Sequence, residues 1–475
     1  MLFNSVIFIF IYLPIILSIS LFIKIKRFNE IYQKIFLIFS SLVFYGFYEI
    51  IFLPLIISSI IFNFLISQRI RQLKKFKKKI YLIFAIIINV FILFLFKYSN
   101  FFIEMYSNFT SENIDYVNLI FPLALSFFTL QQIAFLVDSY EDKSIEHSFI
   151  NYCFFVTFFP QLVAGPILLF KDISTQLKNG YLSKISYQNI SMGIYLISLG
   201  LFKKIIISNF FSSYSDLAFS YKQNLTLMDA WIGSFAFSMQ FYYDFSAYSD
   251  LAVGLALIFG INIINNFDSP FKALSIIDFW QRWHISLSNF INAYMFVPLV
   301  KNLKVISIAK ISIITIFIMT IIGFWHGPSL SFIIFGLMHG LALALNRIFR
   351  EFNFNLGKLI NCLLTLNFIN ISFIFFRTEN LLFAKNMIIS MFNVKSLPFL
   401  SDFFTIYSKL DFLLFLSIFP IFLYIVLINK NSRELTIDFS FTKKNLLTCV
   451  VMFVTSAFVL INNYGYENKF IYFQF

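Results

Sequence analysis

The chain has 475 residues, 59% of them hydrophobic and only 12% charged, with 71 Phe and a formal net charge of +13. A soluble domain carries roughly 25% charged residues, so no water-soluble fold hides this much apolar surface and most of the chain must be solvated by lipid. The excess of Lys and Arg does not read as a nucleic-acid surface, because it is concentrated in short loops between apolar runs, where it sets membrane orientation.

A transmembrane helix needs roughly 20 mainly apolar residues, and by that measure the chain holds about eleven to thirteen full or partial spans. The expected fold class is therefore an all-α polytopic membrane protein. Residues 2–23, the first apolar segment, have no basic residue before them and no small-residue cleavage site after them. They read as a retained span and not as a removed signal peptide. "KIKR" at 24–27 and "RIRQLKKFKKK" at 69–79 face the cytoplasm by the positive-inside rule. The N-terminus then starts outside, residues 33–50 and 51–68 cross out and back, residues 80–97 cross out again, and 98–117, without Lys or Arg, lies outside. The expected location is the cytoplasmic (inner) membrane. No linker or repeat divides the chain, so residues 1–475 read as one membrane domain, with scaffold spans over 1–118, a core over 119–350 and plain spans over 351–475.

From about residue 120 polar residues appear inside apolar surroundings in dense packets: "LSFFTLQQIAFLVDSY" (125–140), "FFPQLVAGPI" (158–167), "SMQFYYDFSAYSDLA" (238–252) and "DFWQRWHISLS" (278–288). Helix-breaking Pro and Gly at membrane depth are tolerated where the freed backbone is buried in protein or lines a wet cavity, so these packets are expected to carry the chemistry. Gln240, Tyr243, Asp244, Ser246 and Asp250 lie close enough in sequence to build a hydrogen-bonded network, which a buried carboxylate requires. A structural network and a polar passage both stand open for them.

"FWQRWHISLS" packs Trp280, Arg282, Trp283 and His284 together. Trp and Arg are expected at the headgroup level as a half-wet anchor, whereas His284, followed by hydroxyls, is placed to orient an acceptor or relay a proton. Residues 311–346 then contain no Asp, Glu, Lys or Arg, yet hold Trp325, His326 and His339, with Gly-Pro directly after His326. Lys301, Lys304 and Lys310 precede this run and Arg347 and Arg350 follow it, which predicts a hairpin of two helices with "WHGPS" at its tip. His326 falls about 24 Å along the first helix from Lys310, deep in the bilayer or toward its outer half. Ionisable groups there are costly and by default functional. For His339 a bundle-internal hydrogen bond and a functional role are both open.

The chain lacks G-x-x-x-x-G-K-[ST] and G-x-S-x-G, and five residues after His284 comes Asn289, so the soluble acyltransferase pattern H-x-x-x-x-D fails. Cys153, Cys362 and Cys449 form no C-x-x-C pair, so neither a metal site nor a disulfide framework is expected. What remains is a histidine base with no covalent-nucleophile signature.

With "PQLVAGPILLFKDISTQL" (160–177), "GLFKKIIISN" (200–209), "FYYDFSAYSDLAVGLALIFGI" (241–261), "NNFDSPF" (265–271), "FWQRWHISLSNF" (279–290) and "GFWHGPSLSFIIFGLMHG" (323–340), the chain resembles the membrane-bound O-acyltransferase family, in its alginate and peptidoglycan O-acetyltransferase branch. The resemblance covers nearly the whole chain and is densest over 120–350. It departs at Ala247, where the family usually has Gly, and at Asn292 and Ala293, where many members carry Arg-Asp.

The resemblance implies a bowl of helices with funnels from both faces, His326 as the active-site histidine and His284 as the second one implicated. It also implies acetyl-CoA as donor with no resident cofactor, a polysaccharide acceptor and a periplasmic SGNH-type acetyltransferase as partner. Two alternatives remain: D-alanyl transfer to teichoic acid from a carrier-protein thioester, and a transporter or flippase in which Asp244, Asp250 and the histidines act as coupling residues.

Overall fold

Lipid offers backbone N–H and C=O groups no partner but one another, so a chain this apolar satisfies them within helices. The computed structural model describes all residues except 113, 142–147, 222–224, 395–405, 441, 464–469 and 472–475. Among the described residues the regular elements are helices and no strand occurs.

Nine stretches among the described residues are long and apolar enough to cross a membrane. One of them, Glu30–Gln72, contains two helices, Glu30–Glu49 and Leu53–Gln72, joined by the single 3₁₀ turn Ile50–Phe52. The break at Ile50–Phe52 falls where the sequence reading divides residues 33–50 from 51–68. Residues 98–117, expected as an external loop, include a 12-residue helix, Ser99–Thr110.

Two compact units make up the chain: Met1–Leu201 with Tyr248–Asn265 and Ser440–Gln474, and Phe202–Ala247 with Asn266–Phe439. The helix Leu227–Phe259 contributes to both. It is 33 residues long, about 50 Å, and every residue from 236 to 259 is buried. A helix buried on all sides has protein for its solvent, which is why this element tolerates three buried Asp, Asp229, Asp244 and Asp250, and several hydroxyls.

Small residues set the helix spacing within each unit, as expected where lipid supplies no hydrophobic drive between helices. In the first unit Gly193 and Gly254 face each other: a Cβ on Gly193 would lie 2.6 Å from the Gly254 carbonyl oxygen, and one on Gly254 would lie 2.7 Å from that of Gly193. In the second unit the helices Ile308–His326 and Leu330–Glu351 form the expected hairpin. A Cβ on Gly323 would come within 2.3 Å of the Phe332 carbonyl oxygen, and one on Gly336 within 2.3 Å of that of Met319. The hairpin tip is closed by Ser329, whose hydroxyl accepts from Phe332 N (3.5 Å), and by Phe332, whose ring occupies the space a Cβ on Gly327 would need (2.1 Å). Gly327 itself is extended (φ −162°).

Candidate active site

His326 is the last residue of its helix and is buried. Its imidazole packs edge-on to Phe376 (ring centroids 5.3 Å) and Phe335 (6.4 Å) and beside Trp325 (5.0 Å). Phe335 stands one turn before His339 on the returning helix, and their rings approach to 4.5 Å. One phenylalanine therefore touches both hairpin histidines.

His339 has both ring nitrogens committed. Trp280 Nε1 donates to Nδ1 (3.1 Å), and Nε2 lies 3.1 Å from Ser372 Oγ. An indole N–H can only donate, so Nδ1 must be the acceptor, and Nε2 carries the proton and gives it to Ser372. The serine hydroxyl in turn donates to the Ile369 carbonyl (2.8 Å). Every polar atom in this chain of four groups is used, which fixes the tautomer and marks His339 as a buried structural tie.

His284 reaches the same aromatic wall from another side. Its ring meets Phe245 edge-on (4.8 Å, 83°). Phe245 and Phe241 both pack on Trp283 (6.2 and 5.2 Å), and Phe241 packs on Phe376 (4.7 Å). The histidine sits at a sharp turn between the helices Ile276–Arg282 and Ile285–Ile291, with φ 45° and ψ 54°. That left-handed conformation costs a non-glycine residue about 1–2 kcal/mol, so the surroundings must hold it. Asn266 does so: its carbonyl accepts from Ile285 N (3.0 Å) and its Oδ1 from Ser286 N (3.1 Å). Two residues on, Asp268 N donates to the Arg282 carbonyl (3.0 Å) and the Arg282 guanidinium donates back to the Asp268 carbonyl (3.1 Å). The Asp268 carboxylate is gripped by Arg433 (2.9 Å) and Asn431 (2.8 Å) from the first turn and N-cap of the short helix Ser432–Ile437.

The expectation of a half-wet Trp-Arg anchor is overturned for both indoles. Trp280 and Trp283 are only 8% and 4% exposed, because one indole holds His339 and the other is enclosed by Phe241, Phe267, Phe279 and Phe373. Arg282 alone stays near water, paired with Asp278 (2.7 Å).

On the central helix, Asp244 forms a buried ion pair with Lys204. Lys204 projects from a π-helical turn, Lys203–Ser208, and Ser208 Oγ also donates to Asp244 (3.4 Å). Gln240 accepts from Ser208 through its backbone carbonyl (3.4 Å), and Tyr243 donates its hydroxyl to the Phe422 carbonyl (3.4 Å). Ser246 Oγ bonds its own helix at Tyr243 (3.4 Å). Asp250, six residues beyond Asp244, lies about 120° further round the helix and belongs to the first unit, where it is buried.

The second unit thus brings His326, His339, His284, Trp283 and Trp325 together around one aromatic wall, while Asp244, Ser246 and Tyr243 bond to Lys204, to their own helix and to the Phe422 carbonyl. The sequence reading passed over Lys204, Asn266 and Ser372. Two of them lay in quoted stretches, "GLFKKIIISN" and "NNFDSPF". The first carries a lysine pair inside an apolar run, a signal that a carboxylate partner exists.

Residues 80–391 match the sequence pattern of the MBOAT, membrane-bound O-acyltransferase family. The chain is 38% identical over 412 residues to a peptidoglycan O-acetyltransferase of Helicobacter pylori, covering 80% of this chain and 78% of that protein. It is 32% identical over 405 residues to a probable alginate O-acetylase of Pseudomonas aeruginosa, covering 83% and 75%. With a teichoic acid D-alanyltransferase of Bacillus subtilis it shares 27% identity over 242 residues, covering 50% and 61%.

Proposed function

The chain belongs to the membrane-bound O-acyltransferase family, and on that premise we propose that it moves acetyl groups from cytoplasmic acetyl-CoA across the inner membrane for O-acetylation of a cell-envelope polysaccharide, peptidoglycan or an alginate-like glycan. The observation that carries this reading is His326, a buried imidazole at the end of a helix without acidic residues, framed by Phe335 and Phe376, in a chain so similar to a peptidoglycan O-acetyltransferase.

The chemistry follows from that placement. The acceptor hydroxyl attacks the thioester carbonyl, His326 takes the hydroxyl proton, and the thiolate leaves. A neutral imidazole is a suitable base near neutral pH. The negative end of the helix that His326 terminates stabilises the positive charge gained with the proton. The aromatic wall keeps water from competing with the hydroxyl and holds the reacting groups in line. His284, held in its turn by Asn266, is assigned to orienting the acceptor or relaying its proton. Delivery to the glycan through a periplasmic SGNH-type partner completes the scheme.

D-alanyl transfer from a carrier protein is the second reading. The similarity to the D-alanyltransferase covers 50% of this chain, against 80% for the peptidoglycan enzyme, which favours acetyl. Reconstituted protein given radiolabelled acetyl-CoA is expected to release CoA and label an acceptor, and His326→Ala is expected to abolish this without altering folding. Full activity in that variant would overturn the assignment of the base, and inertness toward acetyl-CoA with turnover of a D-alanyl carrier thioester would establish the second reading.

A further inference from the structure

Outside the acyl-transfer site, the first unit holds a cavity of about 310 Å³ at the basic end of the first helix, lined by Ile23, Lys24, Arg27, Glu30, Gln33 and Ser183, with Phe28 at its edge. Lys24 is buried there. Two of its ammonium hydrogens are given to the carbonyls of Phe259 (3.0 Å) and Lys184 (3.4 Å), which leaves the third of its three donors for whatever fills the cavity. Arg27 adds a second cation from a left-handed turn (φ 54°). Glu30 is paired with Lys34 (3.1 Å), so the cavity keeps a net positive wall.

Gln33 is the independent observation. It is 1% exposed, its Nε2 donates to Ser20 Oγ (2.6 Å), and its Oε1 has no hydrogen-bond partner among the described residues. A buried carbonyl oxygen left so costs about 1–3 kcal/mol, and a simple anion held by Lys24 and Arg27 would bring it no donor. An occupant that brings both an anionic oxygen for Lys24 and Arg27 and an N–H donor for Gln33 satisfies the whole lining. Beside the cavity Phe22, Ile25 and Phe28 are more than half or about half exposed (55%, 67% and 50%), which in a membrane protein means facing acyl chains.

We propose that this cavity binds the headgroup of a phospholipid whose phosphate ester carries a primary ammonium, as in phosphatidylethanolamine, with the phosphate on Lys24 and Arg27 and the ammonium on Gln33. The discrimination is chemical: a quaternary ammonium has the same charge but no N–H to donate.

Native mass spectrometry of the delipidated full chain, titrated with palmitoyl-oleoyl phosphatidylethanolamine or the phosphatidylcholine of identical chains, reads this directly. The ethanolamine lipid is expected to bind about tenfold more tightly, the worth of one hydrogen bond to a charged group. Gln33→Leu should bring it down to the choline lipid's level, and Arg27→Gln should weaken both lipids. Arg27 is an exposed turn residue, so that variant folds and decides the matter if Gln33→Leu does not. Equal binding of the two lipids by the wild type, or unchanged binding in Arg27→Gln, would overturn the proposal. Displacement of the bound lipid by millimolar inorganic phosphate would do so too, by identifying a soluble phosphate ester as the occupant.

Discussion

His326 and His339 stand 13 positions apart on the two arms of one hairpin, and their surroundings assign them different work. The tryptophan donor and the serine acceptor that close on His339 leave it no freedom to take or pass a proton, whereas His326 sits at the helix end against two phenylalanines. His339→Ala is expected to orphan the Trp280 N–H and to lower stability by about 1–3 kcal/mol for each buried group left unpaired, read as a fall in melting temperature in detergent. His326→Ala should melt close to wild type and lose turnover; the reverse pattern would exchange the two roles. The Lys204–Asp244 pair gives a second residue-scale outcome. Removing one partner strands a buried charge and is expected to cost about 3–5 kcal/mol, while an apolar pair of similar volume is often neutral. Lys204→Met and Asp244→Leu should each reduce folded yield, and the double variant should restore it. A double variant that folds but cannot transfer acetyl groups would show that the pair also serves the reaction.

At the scale of elements, the strained turn at His284 depends on a neighbour far from it in sequence. Asn266 receives two backbone N–H groups from the turn, and Arg433 and Asn431 anchor the same loop through Asp268. Asn266→Ala removes one of the two acceptors and lets the left-handed residue relax, so kcat is expected to fall by about tenfold, equivalent to 1.4 kcal/mol, with the protein still folded and the donor KM unchanged. A rise in KM alone would instead place the loop in donor binding. The hairpin itself was legible in the sequence, because a charge-free run bounded by basic residues with Gly-Pro in the middle admits few other folds. The loop from 265 to 271 was visible as a motif, but its partner was not, since no local pattern in residues 266–268 names residues 282–286. The tryptophans misled for a related reason: composition says that Trp and Arg suit the membrane surface, and only packing reveals that His339 and a ring of phenylalanines draw both indoles inward.

For the whole molecule, lipid as solvent made the all-helical fold readable from composition, while pairings such as Gly193 with Gly254 or Trp280 with His339 depend on tertiary contacts that no local periodicity records. Orientation is the property of the whole chain on which the proposed direction of acetyl transfer depends. In the proposed topology the helices Glu30–Glu49 and Leu53–Gln72 each cross the membrane, so the basic segments at 24–27 and 69–79 that they separate share one side. Positive charge in short loops is held back on the cytoplasmic side. Fusing a fluorescent protein after Lys74 is therefore expected to give cytoplasmic fluorescence, and fusing alkaline phosphatase after Thr110, past the helix Lys75–Lys97, should give external phosphatase activity. The opposite result at both positions would put the basic loops outside, where no acetyl-CoA is made, and the cytoplasmic donor would have to be abandoned even if His326 remained the base.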